Sequence, residues 1–448
     1  MDISSSQTNI YCHYCKGIID SANLSEIKLN SHSICRNEID SFTRERSKRF
    51  KHLLDLQNVL SYLLPEEIEA LENLDLSGRN LTTIRPSIGF LSKLSELNLS
   101  HNSFTSLPDT ICNLSNLQIL YLSNTNLSQL PEAIGSMTGI KEFYAVSTNL
   151  SSLPDSFYSL INMHKLVLGG PLSLSSALTK FINLQFLKLR IPNVSAILDA
   201  ICELVSLHTL DLAFSNLSRL PNNIGFLTNL TRLFLTANRL TQLPESFYQL
   251  RSLERLDITA NLLTSFPSHF GNLYQLTALF ADNNSIQSLP NNFTNLKALQ
   301  TLNLGYNQLS SLPSDFGKLS KLQNLYLNNN NLATLPDSLG ELQHLDTLKL
   351  NNNKLTSLPD TITKLGNLEK LYLNNNNLAY LPVTLGLLKS LRTLNVSGNP
   401  LLELPLSIVT LPNLRELIID HRFTNFPDNI DKLDDLHIEF VLPKSNSS

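Results

Sequence analysis

Leucine recurs in this chain with a period of 23 residues, most regularly between residues 299 and 390. Within each repeat, leucine occupies positions 1, 4, 6, 11 and 14, asparagine position 9 and proline position 15, with an apolar pair at 18 and 21. Leucines at positions 4 and 6 are separated by one variable residue, which predicts a short strand with one buried side. A fixed period of twenty-odd residues indicates a solenoid, whose repeats bury their apolar sides against their neighbours.

Residue types at the other positions predict the rest of the repeat. The asparagine at position 9 follows the strand, where its amide can satisfy backbone groups of neighbouring turns and form a ladder. The Leu-Pro pair at positions 14 and 15 and the frequent glycine at 19 exclude a long helix, so the return segment should be 3₁₀ or irregular. Sixteen repeats fill residues 71-436, each of 23 residues except the fifth, which has 21.

The pattern LxxLxLxxNxLxxLPxxIGxL resembles that of the leucine-rich repeat superfamily. Its length and form are similar to those of the 23-residue repeats of Ras-group and bacterial intracellular members. The resemblance covers roughly residues 65 to 440. It implies an α/β fold, a leucine-rich repeat solenoid that curves into a horseshoe with parallel strands on the concave face. The motif is specific for this fold and unspecific for function.

The ladder position changes character between about residues 150 and 215. Pro171 and Pro192 stand where asparagine belongs, and proline cannot replace its hydrogen bonds. Thr125, Thr148 and Ser215 occupy the same position in other repeats, and their hydroxyls are predicted to replace asparagine in part. The interruption predicts a local change of curvature, with drift in a repeat array as the alternative.

Four potential metal ligands precede the repeats. Cys12, Cys15, His32 and Cys35 form the pattern C-x2-C-x16-H-x2-C, and paired ligands at this spacing suit tetrahedral zinc. The pattern is similar to a treble-clef or zinc-ribbon site, or to half of a LIM domain. We therefore predict a structural zinc. The alternative is a set of free or buried cysteines beside an exposed histidine.

Composition shifts along the chain predict a small N-terminal zinc-binding and helical cap on the solenoid. A basic run from Arg44 to Lys51 lies on a predicted helix, where a solvated helix face and a nucleic-acid patch are alternative interpretations. The predicted segments are a disordered stretch 1-8, a zinc-binding module and helix 9-52, a helical cap 53-70, the repeats 71-436, and a closing strand with a tail 437-448.

Aromatic and basic residues concentrate at strand positions 3, 5, 7 and 8, which are predicted to face the concave surface. From Phe234 onward, position 5 is aromatic in every second repeat. Because exposed aromatic residues and arginine commonly anchor protein interfaces, we predict a partner-binding surface there. The alternative is that these side chains only pack across strands. The predicted partner-binding residues are Tyr121, Tyr144, Lys165, Phe186, Lys188, Arg190, Phe214, Arg232, Phe234, Arg255 and Phe280.

Composition and the motifs that the sequence lacks argue against nucleic-acid binding, membrane association and enzymatic activity. The net charge is −4 and 16% of residues are charged. The protein as a whole therefore has no positive electrostatic potential that would attract nucleic acid or an anionic membrane surface. The N-terminus lacks a signal segment and no apolar run reaches about 18 residues, so we expect a cytoplasmic protein without a membrane span. No P-loop, GxGxxG or nucleophile motif occurs, so we predict neither enzymatic activity nor a small-molecule substrate.

The leading function is a non-enzymatic protein–protein interaction module or signalling scaffold, expected to be a monomer, that binds a protein partner on its concave face. Two alternatives remain open at this point. One is a bacterial effector acting on host proteins. The other is nucleic-acid binding through the zinc module and the basic helix, which a salt-dependent shift with generic DNA or RNA would identify.

Overall fold

The structure is a computed structural model that describes residues 10–12, 17–19, 70–433 and 436–442 of the 448-residue chain. The described residues divide into two compact units. The first unit contains those up to Met163 and the short segment Gly170–Leu172. The second unit contains His164–Gly169 and the described residues from Ser173 onward. Each unit is a stack of repeats in which one strand alternates with one return segment.

The described part of the first unit contains one antiparallel pair of strands and four parallel strands. β1 (Ile10–Cys12) and β2 (Gly17–Ile19) pair in antiparallel orientation, with Cys12 opposite Gly17. The parallel strands come from the first four repeats and pair in chain order. They are β3 (Asn73–Asp75), β4 (Glu96–Asn98), β5 (Ile119–Tyr121) and β6 (Glu142–Ala145).

The second unit contains thirteen parallel strands, which also pair in chain order. Four of them have five residues and the others have three. They are β7 (Lys165–Gly169), β8 (Phe186–Arg190), β9 (Thr209–Asp211), β10 (Arg232–Phe234), β11 (Arg255–Asp257), β12 (Ala278–Phe280), β13 (Thr301–Asn303), β14 (Asn324–Tyr326), β15 (Thr347–Lys349), β16 (Lys370–Tyr372), β17 (Thr393–Asn395), β18 (Glu416–Asp420) and β19 (His437–Val441). The last strand lies where the sequence predicts a closing strand.

The return segments are short 3₁₀ helices, as the Leu-Pro turns predict. In the first unit they are Pro86–Phe90, Asp109–Asn113, Ile134–Ser136 and Asp155–Ser159. In the second unit they are Ser176–Lys180, Val194–Ile197, Asn222–Phe226, Glu245–Gln249, Phe270–Asn272, Phe293–Asn295, Phe316–Lys318, Asp337–Glu341, Asp360–Lys364, Leu385–Leu387, Leu406–Thr410 and Ile430–Lys432.

One return segment departs from this pattern. The sixth repeat lacks the Leu-Pro turn, and its 3₁₀ helix runs directly into α1 (Leu198–Cys202), the one α-helix in the described part of the chain. Without proline at position 15, nothing removes the backbone N–H groups that a helical turn requires. None of the helices among the described residues is long and apolar enough to cross a membrane.

The core lies between the strands and the return segments. Leucines at positions 4, 6 and 11 are fully buried, for example Leu302, Leu304 and Leu309. A column of phenylalanines fills position 18 in four consecutive repeats of the second unit, from Phe247 to Phe316, and all four are buried. Ring centres of neighbours in this column lie 6.4 and 6.1 Å apart where they stack. Each repeat therefore completes the core of the next one.

Asparagine at position 9 forms the predicted ladder. Oδ1 of Asn330 accepts a hydrogen bond from the backbone N–H of Leu309 at 2.9 Å. Its Nδ2 donates to the carbonyls of Leu304 at 2.9 Å, Leu327 at 3.1 Å and Asn328 at 3.4 Å. The two bonds to the preceding repeat recur at Asn102, Asn238, Asn261, Asn284, Asn307, Asn353, Asn376 and Asn399.

Hydroxyl residues at position 9 replace asparagine less well than the sequence predicts. The Thr125 hydroxyl donates to the carbonyl of Leu122 at 2.8 Å. The buried hydroxyls of Thr148 and Ser215 have no hydrogen-bond partner within the described protein. The prediction is therefore wrong for these two residues, because a hydroxyl on Cβ does not reach as far as the asparagine amide.

Position 8 turns the chain instead of extending the strand. It has a positive φ in fourteen repeats, a left-handed conformation that suits glycine and asparagine. Phe214 and Tyr306 adopt this conformation too, with φ of 57° and 53°. The prediction that position 8 belongs to the strand is therefore wrong, and these two exposed rings extend from the turn after it.

Candidate functional site

The outward side chains of β7 to β18 form one surface of the second unit, called the strand face here. Position 4 of each strand is buried, so positions 3 and 5 point outward. Position 5 forms a continuous line of paired residues, and every second residue in it is aromatic. The line runs through Phe234, Asp257, Phe280, Asn303, Tyr326, Lys349 and Tyr372. We call its four rings, Phe234, Phe280, Tyr326 and Tyr372, the aromatic row.

Two cations lie between rings of the aromatic row. The guanidinium carbon of Arg255 is 4.5 Å from the ring centre of Phe280 and 5.8 Å from that of Phe234. Nζ of Lys349 is 5.3 Å from the ring centre of Tyr326 and 5.4 Å from that of Tyr372. Each such contact contributes about 0.5–1 kcal/mol at an exposed site. These contacts restrain the positions of the four rings.

A second cluster surrounds Asp211 on β9. Arg190 binds this carboxylate through both terminal nitrogens, at 2.9 and 3.1 Å, and Lys188 lies 3.2 Å from it. Burial raises the pKa of Asp211, but the hydrogen bonds from Arg190 and from the Ala213 amide outweigh it and hold the pKa below its ordinary value. The guanidinium carbon of Arg190 also lies 5.7 Å from the ring centre of Phe214.

Lys165 and Arg232 are the remaining basic residues of the predicted site. Nζ of Lys165 lies 5.0 Å from the ring centre of Phe186 on the neighbouring strand. Arg232 is exposed on β10 and pairs in register with Arg255 on β11. The strand face therefore carries eight of the predicted partner-binding residues, from Lys165 to Phe280, and the ninth of this unit, Phe214, extends from the turn after β9.

The aromatic residues of this face are less exposed than the sequence predicts. All four rings of the aromatic row and Phe186 are half-buried, because neighbouring strands and cations cover their sides. Phe214 is the exception at 70% exposure, since it sits in the turn after β9. These half-buried rings therefore pack across strands and still keep part of their surface open to solvent.

Tyr121 and Tyr144 lie in the first unit, in an acidic environment. Their rings stack with centres 4.6 Å apart and planes 20° apart. The Tyr144 hydroxyl donates to Oε2 of Glu142 at 2.5 Å. Burial, this hydrogen bond and the Glu142 charge raise the pKa of Tyr144, and burial with Glu96 and Glu142 raises that of Tyr121. Both phenols therefore stay neutral at physiological pH.

Three residues at the far end of the position-5 line, Tyr326, Lys349 and Tyr372, were not among the predicted site residues. Tyr326 and Tyr372 continue the every-second-repeat period that begins at Phe234, so the sequence did carry a signal for them. Lys349 carried no such signal, because its role depends on cross-strand register. It stands between the two tyrosines in the same way that Arg255 stands between two phenylalanines.

The predicted zinc site falls largely outside the described residues. Cys12 ends β1, while Cys15, His32 and Cys35 are not among the described residues. Where the structure does describe the chain, no group of three or more His, Cys, Asp or Glu could hold a metal ion. Cys112 and Cys202, the free cysteines in the repeats, are buried, and burial raises the pKa of both thiols, that of Cys202 to about 12.

Two family models match the repeats. A model described as a leucine-rich repeat region matches residues 173–277 and 264–371. A model described as a leucine rich repeat matches residues 69–127 and 343–401. No curated protein sequence matches the chain.

Three solved structures illustrate the likeness. A leucine-rich repeat protein of Leptospira interrogans is 36% identical, with a TM-score of 0.76, over 84% of this chain and 97% of that one. A plant peptide hormone receptor, RGFR1, in complex with RGF2, is 27% identical, with a TM-score of 0.66, over 85% and 67% of the two chains. The functional domain of InlJ from Listeria monocytogenes shares the fold, at 20% identity and a TM-score of 0.64, over 79% and 74%. With the laddered repeats described above, these matches show that the chain belongs to the leucine-rich repeat family.

Proposed function

We propose that the protein is a non-enzymatic interaction module or signalling scaffold that binds a protein partner on the strand face of its second unit. The observation that carries the proposal is the aromatic row, whose rings are positioned by Arg255 and Lys349. Aromatic residues and arginine dominate the energetics of protein interfaces. Side chains that are already ordered lose less conformational entropy on binding, which favours affinity.

The size of the row suits a protein partner. Six strand steps separate Phe234 from Tyr372, which corresponds to about 29 Å at the usual strand spacing. A partner of standard size covers about 800 Å² on each side, an area that several adjacent strands can supply. The plant receptor RGFR1, a structural relative, has been solved with RGF2 bound, which supports a binding role for this fold.

The charges of the strand face support a protein partner over nucleic acid. Lys188 and Arg190 share one carboxylate, that of Asp211, which neutralises half of their combined positive charge. A nucleic-acid surface usually leaves lysine and arginine available to phosphate groups. Aromatic rings and arginine on the same surface are more typical of a protein interface.

The test is affinity capture from the native lysate with the wild type and the double variant Arg232→Ala with Phe234→Ala. Truncation of an interface anchor typically costs at least about 2 kcal/mol, or about thirtyfold in affinity. We therefore expect the double variant to lose the main partner while its circular dichroism and melting curve stay close to those of the wild type.

The matched control is Arg251→Ala with Tyr274→Ala, which also removes one arginine and one exposed ring, but from turns outside the strand face. It should retain the partner. Capture that survives in the strand-face variant, and is lost on deletion of residues 1 to 52, would assign recognition to the N-terminal segment instead.

The zinc prediction also becomes a proposal. We propose that Cys12, Cys15, His32 and Cys35 hold one structural zinc per chain, on the strength of their spacing. Metal analysis of protein prepared without chelator should find one zinc in the wild type and a loss in Cys15→Ser. Wild-type protein without stoichiometric metal would contradict the proposal. A cytoplasmic location and a monomeric state remain predictions.

A further inference from the structure

The aromatic row has a regular spacing that restricts what can bind along it. Its rings stand on every second strand of one parallel sheet, and neighbouring strands lie about 4.8 Å apart, so successive rings repeat at about 9.6 Å. Arg255 lies 5.8 Å from the Phe234 centre and 4.5 Å from the Phe280 centre, so these two centres are at most about 10 Å apart, an upper limit compatible with the strand spacing. A ligand lying along the row would meet a ring once per such interval.

Among regular polypeptide conformations, the polyproline II helix matches this interval best. It has three residues per turn and a rise of about 3.1 Å, so like-facing residues recur every 9.3 Å or so. Over the three intervals between four rings, the mismatch accumulates to only about 1 Å. Like-facing residues of an extended β-strand recur at about 6.7 Å, and those of an α-helix seven residues apart at about 10.5 Å, so both lose register along the row.

The surface between the two central rings has room for side chains of a ligand. β13 separates Phe280 from Tyr326, and its outward residues are the small Thr301 and Asn303, followed by Gly305. The Asn303 amide is already engaged, since Nδ2 donates to Asp282 at 2.8 Å and Oδ1 accepts from the Gly305 N–H at 3.1 Å. The Asn303 amide at the base of this shallow trough therefore already has its hydrogen bonds, and the rings of Phe280 and Tyr326 lie on either side of it.

The chemistry of the face also suits a chain rich in proline. A polyproline II segment has no internal hydrogen bonds and presents its carbonyls outward, and proline brings no backbone N–H. Such a ligand needs donors more than acceptors. The face offers the guanidinium groups of Arg232 and Arg255 and the phenol of Tyr372, close to rings against which proline packs well.

We infer that the strand face of the second unit binds a proline-rich segment in the polyproline II conformation, lying across the strands with one turn per two repeats. This inference rests on the proposed function and specifies the class of partner. Four rings span about 29 Å, which corresponds to about ten residues of such a segment. Every third residue of the segment would point toward the strand face and contact one ring of the aromatic row.

The test uses fluorescence anisotropy with labelled peptides and the full chain. One peptide has four repeats of Pro-Gln-Ser, and its matched control has the same composition with the prolines grouped at one end. The periodic peptide should bind at least tenfold more tightly than the grouped one. In a series of oligoprolines, affinity should rise with length and level off near ten residues, where the aromatic row ends.

Variants locate the binding site. Phe280→Ala and Tyr326→Ala should each weaken the periodic peptide by at least tenfold, whereas Tyr274→Ala, which removes an exposed ring elsewhere, should leave binding unchanged. Equal binding of the two peptides, no saturable binding of either, or binding that survives both row variants would overturn the inference. Saturable binding of cellohexaose that is lost in the same two variants, without peptide binding, would overturn it in favour of a linear carbohydrate.

The two proposals fail separately. If lysate capture depends on Arg232 and Phe234 but no proline-rich peptide binds, the strand face is a protein-binding surface for another kind of segment. If capture does not depend on these residues and the peptides do not bind, the proposed function fails as well.

Discussion

The eighth to fifteenth repeats and the sixth and seventh repeats of the second unit satisfy their backbones in different ways. In the former, each asparagine at position 9 bonds to the preceding repeat through its side chain. In the latter, Pro192 and Ser215 occupy that position, and the Ser215 hydroxyl has no partner in the described protein. There β8 is five residues long and pairs along its whole length with β7. In the sixth repeat, longer backbone pairing thus accompanies the missing side-chain ladder, whereas β9 of the seventh repeat keeps the usual three residues.

This difference positions one side chain of the predicted site, that of Arg190. In a three-residue strand, position 7 lies beyond the strand end, but in β8 the longer strand still includes Arg190 at that position. Arg190 can then reach across to the carboxylate of Asp211 on β9 with two parallel hydrogen bonds. The repeat that lacks the ladder asparagine is therefore also the one whose longer strand brings Arg190 into the Asp211 cluster.

The largest effect should follow removal of a ladder asparagine. Asn330→Leu leaves the Leu309 N–H without its partner and deletes three bonds to carbonyls. A buried unsatisfied backbone group costs about 1–3 kcal/mol, so we expect a loss of about 2–3 kcal/mol in unfolding free energy. Chemical denaturation of the variant against the wild type measures it.

The control for this variant is Asp337→Asn, on the exposed return segment of the same repeat. It should change the unfolding free energy by less than about 0.5 kcal/mol. Equal shifts of the denaturation midpoint in the two variants would contradict a stabilising role for the ladder.

An intermediate effect should follow Asp211→Asn, which removes the charge that Arg190 and Lys188 share. Because the folded-state pKa of Asp211 lies below its ordinary value of 3.8, its carboxylate stabilises the fold above pH 3.8. That contribution is lost as the pH falls through the lower folded-state pKa. We expect the variant to be less stable by about 1–2 kcal/mol at neutral pH, after allowance for partial solvent screening.

Denaturation of wild type and Asp211→Asn between pH 2 and 7 checks this expectation. The difference in unfolding free energy should be constant near neutral pH and should shrink below about pH 4. A difference that stays constant down to pH 2 would show that the carboxylate charge is not the cause.

The smallest effect should follow Ser215→Ala, at the ladder position of the seventh repeat. The Ser215 hydroxyl is buried and has no partner in the described protein, so its removal deletes no hydrogen bond. We expect a change within about 0.5 kcal/mol of zero, in contrast to Asn330→Leu. A loss above about 1 kcal/mol would mean that an ordered water bonds this hydroxyl.

Sequence reasoning reached the parts of the fold that depend on residue type and period. Leu302 and Asn330 could be assigned to the core and the ladder, because leucine and asparagine at fixed spacing leave few other structures open. The left-handed turn at Phe214 could not be predicted, since neither glycine nor asparagine marks it. The five-residue length of β8 could not be predicted either, because its pairing with β7, and not its local sequence, determines where the strand ends.

The candidate site shows the same limit. The period-two aromatics at Phe234 and Phe280 were visible in the sequence, and so was the basic residue Arg255. The position of Arg255 between the two rings depends on the register of three strands and on side-chain packing. For the same reason, a single lysine in a polar repeat, Lys349, gave no sign that it belonged to the site.

The ladder also bears on how the second unit folds. Each asparagine bonds to residues 21 and 26 positions earlier, whichever repeat it occupies. The entropy lost on closing a loop depends on its length, so each added repeat loses the same amount. None of these ladder bonds requires distant parts of the chain to meet. Folding should therefore nucleate among the laddered repeats and proceed outward one repeat at a time. Amide hydrogens there should exchange last, and those of the sixth and seventh repeats earlier.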